Sequence, residues 1–281
     1  MHLIKCNNFK MAADTDVKDI RLRLTIRIGQ SDLSFSVGTT IEKGYAVYEP
    51  YNTNKGISVA ANLREAFSVS ELLQSGYKCA LVLLDVPAML IPMEEAEEND
   101  GEVLYKSAFS LKGNEEIVQV ELPSLSVKAV MAINKDLKMV IDDHFPMVSI
   151  QPLMQPVWAY LQKLSYQNKR RKLFAYFHDH TMEVVSFQQT RFRYNNTFDG
   201  SHGHDALYYL LFVWRELGMS VEKDELHIMG KVSYEKWLVE ELEKFLSRVY
   251  VDTLEKEIEK RGGTMPEAMH YDEKVLYLDR R

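Results

Sequence analysis

Histidine and aspartate side chains concentrate in two short stretches of the second half of the sequence, residues 178–180 and 202–205. Imidazole and carboxylate groups are the usual ligands of zinc and related metals. The pattern permits a metal site, with His178, His180, His202 and His204 as weak candidate ligands, although no metal is predicted. The alternative is two turns without a metal, because Asp and His are also good turn and helix-start residues. Spacing alone leaves both interpretations open.

The elements predicted around these stretches are three strands, a helix and a fourth strand. Residues 173–178, 181–187 and 191–198 are rich in aromatic and β-branched side chains and end in turn residues. Residues 204–217 predict a helix that is apolar on most of its surface, and residues 225–229 predict a strand. The three strands should form an antiparallel meander, which sets the first hairpin turn and the helix start at the same end of the sheet.

The same order of elements is predicted in the first half. Residues 22–28 alternate strictly, with apolar side chains on one face and Arg23 and Arg27 on the other. The elements that follow are strands at 33–37 and 44–51, a helix at 62–76 that ends at Gly76, and an apolar strand at 79–86. The repetition concerns element order and not identical residues, so it indicates two halves of one fold. The alternative is that two unrelated halves share this order by chance.

This order predicts how the domains divide the chain. An N-terminal arm covers residues 1–20, a first half covers 21–168 and includes an insertion at 88–150, and a second half covers 169–281. Within the second half, the basic run at 169–172 is interpreted as a solvated linker.

Two weaker local predictions concern the end of the chain. Ser233 is predicted to cap the helix that follows the strand at 225–229. Residues 275–278 are apolar and predict a short strand.

Composition bounds the class of protein. The chain has 281 residues, of which 46% are hydrophobic and 27% charged, as in soluble globular proteins of two domains. The net charge of −7 argues against a nucleic-acid surface. Cys6 and Cys79 are too few for a disulfide framework, and neither a signal-peptide pattern nor a run of about 18 apolar residues is found. These features predict a cytoplasmic protein.

With these elements, the chain resembles an uncharacterised bacterial family, domain of unknown function 3822, and through it a divergent actin-like ATPase. The resemblance implies an α/β fold of two ribonuclease-H-like halves, each a βββαβα repeat, that face each other across a cleft. A middle α+β insertion is part of this arrangement. Residues 129–161 are similar in their order of elements to pilus-assembly and type II secretion cytoplasmic proteins with this fold.

The resemblance also implies where nucleotide loops would lie. ATPases of this fold carry an acidic residue in the first hairpin to orient hydrated magnesium, and glycines whose amides hold phosphate. Here Arg27 stands at the acidic position, and the second hairpin, residues 176–181, has no glycine. The residues that could still contact a nucleotide are Gly29, Gln30, Ser31, Gly200, Ser201, Gly203, Gly230 and Lys231.

The expected function is therefore a non-catalytic actin-like scaffold or protein-binding module without a resident cofactor, whose partner is another protein or a second copy. One alternative is a nucleotide-binding switch or weak ATPase that uses ATP and magnesium. Another is a metal-dependent hydrolase that uses the His/Asp cluster. A ribonuclease-H-like nuclease is disfavoured because its chemistry needs carboxylates on central strands, where this chain has Arg23 and Arg27.

Overall fold

The computed structural model describes residues 23–38, 46–95, 100–167, 169–188, 191–260 and 264–279. The predicted N-terminal arm lies outside these residues. The chain divides into two compact units, one formed by Met1–Pro156 with Glu257–Arg281 and the other by Val157–Lys256. The end of the chain therefore returns to the first unit.

The elements up to residue 152 begin with three consecutive strands and then mix helices and strands. In chain order they are β1 (Leu24–Ile28), β2 (Asp32–Gly38), β3 (Ala46–Asn52), α1 (Val59–Val69), α2 (Glu71–Gln74), β4 (Cys79–Leu84), β5 (Ala88–Pro92), α3 (Asp100–Ala108), β6 (Glu115–Leu122), a 3-10 turn (Pro123–Leu125), β7 (Val127–Asn134), α4 (Lys135–His144) and β8 (Met147–Pro152).

The remaining elements repeat part of this order. They are α5 (Gln155–Ser165), β9 (Lys172–His178), β10 (Thr181–Gln188), β11 (Arg191–Asp199), α6 (Gly203–Glu216), β12 (Glu225–Gly230), α7 (Glu235–Leu242), β13 (Val249–Val251), α8 (Glu255–Lys260) and α9 (Tyr271–Asp279).

The first unit contains a five-stranded sheet with the order β3-β2-β1-β4-β8. The first three strands are antiparallel, and β4 and β8 run parallel to β1. Leu24, Ile26 and Ile28 pack on one face in a core that includes residues of α1 and α4. Arg27 lies on the other face and contacts Asp272 of α9. The two faces that the alternation predicts for β1 are therefore confirmed.

A smaller sheet interrupts this unit between β4 and β8. Its order is β5-β7-β6, and its neighbouring strands are antiparallel. After β7, α4 and β8 return to the five-stranded sheet, because β8 pairs with β4. The strand β5, which begins just after Pro87, has no counterpart in the sequence prediction.

The second unit contains a sheet with the order β11-β10-β9-β12-β13. Strands β9, β10 and β11 form the predicted antiparallel meander, and β12 and β13 continue it in parallel. The helices α6 and α7 pack in its core through Leu210, Trp214 and Leu238. Both five-stranded sheets thus share one topology, which confirms the predicted repeat.

Three local predictions are wrong. Residues 275–278 belong to helix α9 and are all buried, and a short apolar run cannot be told from a buried helix by periodicity. Ser233 is not the cap of α7, because Tyr234 occupies that position without a side-chain hydrogen bond. The basic run is not a solvated linker throughout, because Lys172 starts β9 and is only 6% exposed.

The longest helix in the described ranges, α6, has 14 residues, whereas a membrane span needs about 20. Among the residues that the structure describes, no helix is long and apolar enough to cross a membrane.

Candidate functional site

The β1–β2 hairpin is the loop to which the family resemblance assigns magnesium and phosphate. Gly29 is buried, and its amide donates to the carbonyl oxygen of Asp32 at 3.0 Å. A Cβ atom on Gly29 would lie 2.3 Å from Oδ1 of Asp32 and 2.6 Å from Nη1 of Arg27. Glycine is therefore required here by the neighbouring ion pair. Gln30 and Ser31, at the tip of the hairpin, are exposed.

Arg27 is a buried cation held by two carboxylates. Its Nε donates to Oδ1 of Asp272 at 3.0 Å, and its Nη1 donates to Oδ1 of Asp32 at 2.8 Å. Asp272 is fully buried in the first turn of α9. The other oxygen of Asp32 lies 2.7 Å from Nε2 of His270. The positive charge of Arg27 is thus compensated by carboxylates of the same chain.

A second buried carboxyl group, Glu273, lies beside this ion pair. It accepts hydrogen bonds from the hydroxyl groups of Ser34 at 2.8 Å and Ser36 at 2.7 Å. Burial, followed by the negative charge of Asp272, raises the pKa of Glu273 to about 7, although the two serine hydrogen bonds oppose this. Arg27, Ser34, Ser36, Asp32, His270, Asp272 and Glu273 are referred to below as the Arg27 cluster.

The pKa values of Asp32 and His270 in the Arg27 cluster are also shifted. Burial alone would raise the pKa of Asp32, but the hydrogen bond with His270 and the charge of Arg27 lower it to about 2. Burial alone would likewise lower the pKa of His270, but its bond with Asp32 raises it. The negative charge of Asp272 opposes a negative charge on Glu273, whereas the positive charge of Arg27 favours it.

The free energy of unfolding is expected to fall as the pH rises from about 5 to about 8. Glu273 keeps its proton in the folded protein up to a pH of about 7, whereas its ordinary pKa is 4.5. The stabilisation is therefore complete below the ordinary pKa and is lost as the pH rises through the folded-state value, a change of about 3 kcal/mol. The raised pKa of His270 also lowers the free energy of unfolding as the pH rises. Urea unfolding at both pH values should show that Glu273→Gln removes most of this decline.

Glu267→Gln is the matched control for this measurement. Glu267 is exposed and lies in the segment that precedes α9, so its substitution should leave the decline unchanged. If the Glu273→Gln protein lost stability as steeply as the unsubstituted protein, a group other than Glu273 would have to carry the pH dependence.

The glycine-rich loop of the second unit connects β11 to α6, and the candidate residues in it are Gly200, Ser201 and Gly203. The amide of Gly200 donates to the carbonyl oxygen of His180 at 2.8 Å, and the amide of Ser201 donates to Oδ1 of Asp199 at 2.8 Å. A Cβ atom on Gly203 would lie 2.6 Å from the indole ring of Trp237. Packing against α7 therefore explains Gly203, and internal acceptors occupy the other two amides.

The last candidate loop follows β12. Gly230 has a φ of +90°, and a Cβ atom there would lie 2.0 Å from the carbonyl oxygen of Phe177. The amide of Lys231 donates to the same oxygen at 3.1 Å. The close approach of β12 to β9 therefore explains the glycine, and the neighbouring amide is used within the sheet.

The predicted adjacency of the second hairpin and the start of α6 is present, because Gly200 bonds to His180. The side chain of His178 is buried, with its Nε2 2.9 Å from Oγ1 of Thr181. Its ring also stacks on Tyr176, with 5.1 Å between the ring centres. His178 thus has a hydroxyl and an aromatic neighbour of its own, whereas His180 is exposed.

The other two candidate histidines lie at the start of α6. His202 precedes the helix and makes no side-chain capping hydrogen bond. The ring of His204 lies 4.7 Å from the ring of Trp237. The contact of His204 with Trp237 requires no metal. The assignment of the four histidines to a metal site stays a hypothesis.

Asp272 and Glu273 were not identified as candidate residues from the sequence. They lie 245 and 239 positions from their partners Arg27 and Ser34, so no local spacing connects them. One signal was available, since an arginine within an apolar strand needs a buried acidic partner. That rule indicates that a partner exists but not where it lies in the chain.

The two repeated sheets and their helices define an actin-like fold. A protein of unknown function from Bacteroides thetaiotaomicron VPI-5482, described as having an actin-like ATPase fold, is similar with a TM-score of 0.77 and 24% identity over 88% of this chain and 98% of that one. The type IV pilus biogenesis complex PilM-PilN is similar with a TM-score of 0.50 and 13% identity over 90% of this chain and 93% of that one. Both likenesses concern the fold.

The sequence profile of one family matches most of the chain. That family is described as Protein of unknown function (DUF3822), and the match covers residues 14–249. The chain belongs to this family. A comparison with curated proteins found no match.

Proposed function

We propose that this protein is a non-catalytic actin-like module whose ligand is a protein, either a partner or a second copy of the chain. The observation that carries the proposal is the Arg27 cluster. Arg27 occupies the position at which ATPases of this fold have a carboxylate. Its Nε donates to both carboxylate oxygens of Asp272 in α9, at 3.0 and 3.2 Å. A hydrated magnesium ion would be repelled by Arg27 and would find Asp272 already paired.

The backbone of the candidate loops supports the same proposal. Phosphate binding in this fold depends on amides that point at the ligand. Here the amides of Gly29, Gly200, Ser201 and Lys231 donate to oxygen atoms of the chain itself. A phosphate group would have to displace these bonds, and no gain in hydrogen bonding would result.

The protein-binding part of the proposal is supported by an actin-like fold whose candidate nucleotide loops differ from those of the ATPases. PilM, which has a similar fold, occurs in a complex with PilN. We extend this precedent to the present chain without assigning it that partner. The cytoplasmic location expected from the two cysteines is part of the proposal.

Magnesium is expected to cause no shift of the melting temperature beyond that measured with ATP alone. A ligand at about a hundred times its dissociation constant would add about 2.7 kcal/mol, which raises the melting temperature by several degrees. Thermal unfolding with ATP, ADP and magnesium, followed by a phosphate-release assay on the same sample, measures both binding and turnover. We expect no magnesium-dependent shift and no release above the blank.

An active actin-like ATPase assayed in parallel shows that the conditions detect binding. Crosslinking in native cells forms the second arm of the test and should give a reproducible crosslink to one protein or to a second copy. A magnesium-dependent shift with turnover would replace the proposal by the weak-ATPase alternative. A monomer without reproducible crosslinks would contradict the protein-binding part.

A further inference from the structure

A cavity of about 480 Å³ lies in the second unit, where α5 ends and β9 begins. Its size is in the range of small-molecule pockets. Five of the nine lining residues are cations, namely those of the run 169–172 and Arg193, and none is acidic. The residues interpreted from the sequence as a solvated linker therefore form the wall of a basic cavity.

Neighbouring groups hold these cations in place. Nη2 of Arg171 donates to Oδ2 of Asp224 at 2.6 Å and to the carbonyl oxygen of Gly218 at 2.8 Å. Nη2 of Arg193 donates to the carbonyl oxygen of Leu217. These bonds orient both guanidinium groups before any ligand arrives, which reduces the entropy lost on binding.

Positive charge is in excess around the cavity. Within the residues that the structure describes, Asp224 pairs with Arg171, and Glu225 pairs with Arg170 at 3.0 Å. Two of the five lining cations thus lie in ion pairs with these carboxylates. Lys172 is 6% exposed and donates to the carbonyl oxygen of Leu164 at 3.0 Å. Burial lowers the pKa of Lys172, and the negative charges of Glu225 and Asp252 oppose this effect.

The side chains that line the cavity favour a phosphate with an organic substituent. A guanidinium group has five N–H donors and can bind phosphate oxygens in pairs. Nη2 makes two of the bonds described above in Arg171 and one in Arg193. Tyr166 is 53% exposed and lies on the cavity wall with Phe187. These rings offer aromatic surface beside the cations, on which a flat apolar group could pack.

We propose that this cavity binds a small phosphate monoester. Its phosphoryl group is contacted by Lys169, Arg171 and Arg193, and its organic part packs against Tyr166. The site is distinct in sequence from the candidate nucleotide loops of the same unit, which lie at residues 176–181, 200–203 and 230–231.

Calorimetric titration of the full chain with phenyl phosphate and with inorganic phosphate tests the site, at about 50 mM salt and without divalent cations. We expect phenyl phosphate to bind about tenfold more tightly than inorganic phosphate. The double substitution Lys169→Gln with Arg193→Gln should weaken phenyl phosphate at least about tenfold. Tyr166→Ala should abolish the preference for phenyl phosphate and change the affinity for inorganic phosphate by less than about twofold.

Lys236→Gln is the matched control, because Lys236 lies on α7 of the same unit and its side chain is 92% exposed. It removes one positive charge and should leave the affinity unchanged. Lys169→Gln alone keeps the bond between Arg193 and Leu217, so it should weaken phenyl phosphate about threefold without lowering the melting temperature of the free protein. The site is disproved if the unsubstituted protein binds neither phosphate at millimolar concentration. Equal weakening by Lys236→Gln and Lys169→Gln would also disprove it.

Magnesium separates this site from the nucleotide loops. An ATP-induced stabilisation that needs no magnesium and disappears in the Lys169→Gln, Arg193→Gln protein would support the cavity and leave the proposed function intact. A stabilisation that needs magnesium and persists in that protein would contradict the proposed function, whereas the phenyl phosphate titration would still decide the cavity.

Discussion

Replacing Arg27 by methionine is expected to lower the free energy of unfolding by about 3–5 kcal/mol. The substitution preserves much of the apolar volume of the side chain but leaves Asp272, which is fully buried, without the guanidinium that contacts both of its oxygens. A buried carboxylate without its partner is among the most costly defects of a folded protein. Urea unfolding at neutral pH measures the difference.

Lys106→Met provides the control, because Lys106 forms an exposed ion pair with Glu102 in the same unit. Its loss should cost about 0.5 kcal/mol or less. The double substitution Arg27→Met with Asp272→Leu removes both charges, and it should cost less than the sum of the single substitutions. If Arg27→Met were no more harmful than Lys106→Met, the ion pair could not be what anchors α9 to the sheet.

Gly230→Ala is expected to destabilise the protein by at least about 3 kcal/mol. The new Cβ atom would lie 2.0 Å from the backbone carbonyl oxygen of Phe177, and the φ of +90° is unfavourable for any L-residue with a side chain. Strands β9 and β12 would have to separate at a point where they are paired. Chemical unfolding, followed by circular dichroism, measures the loss.

Gly218→Ala separates the energetic cost of a positive φ from the cost of the close approach to Phe177. Gly218 has a φ of +58° and no heavy atom within 4 Å of the added Cβ atom, so its substitution should cost only the conformational term of about 1 kcal/mol. The excess at Gly230 then measures the close approach of the two strands. Equal costs would mean that packing does not explain the glycine, and a ligand-related reason would have to be sought.

The order of strands and helices within each half of the chain was predictable because it is encoded in local sequence patterns. The alternation around Arg27, the aromatic strands of the meander and the apolar helix α6 each carry a periodicity that short-range geometry imposes. Helix α9 was missed since residues 275–278 are buried on every side, which removes the alternation that would distinguish a helix from a strand.

The candidate site was predictable only in part. The loops around Gly29, Gly200 and Gly230 could be located, because glycine marks turns and close approaches. The hydrogen-bond partners of their amides could not be predicted from the sequence. A glycine that permits phosphate binding and a glycine that permits close strand packing are the same residue type in a similar sequence context. The basic cavity was not predicted, because Arg193 joins the cations of the run 169–172 only in the folded chain.

The sequence by itself determined the two α/β halves, the order of their elements along the chain and the alternation that places Arg27 opposite the apolar face of β1, because each of these depends on residue type and local spacing. Only the tertiary structure decided that Asp272 pairs with Arg27 and that Ser34 and Ser36 donate to Glu273. It also decided that the amides of Gly29, Gly200, Ser201 and Lys231 donate to oxygen atoms of the chain. The physical reason is distance along the chain. Ion pairs and hydrogen bonds act over a few ångströms in space, and residues separated by more than 200 positions come that close only through the packing of α9 against β1 and β2.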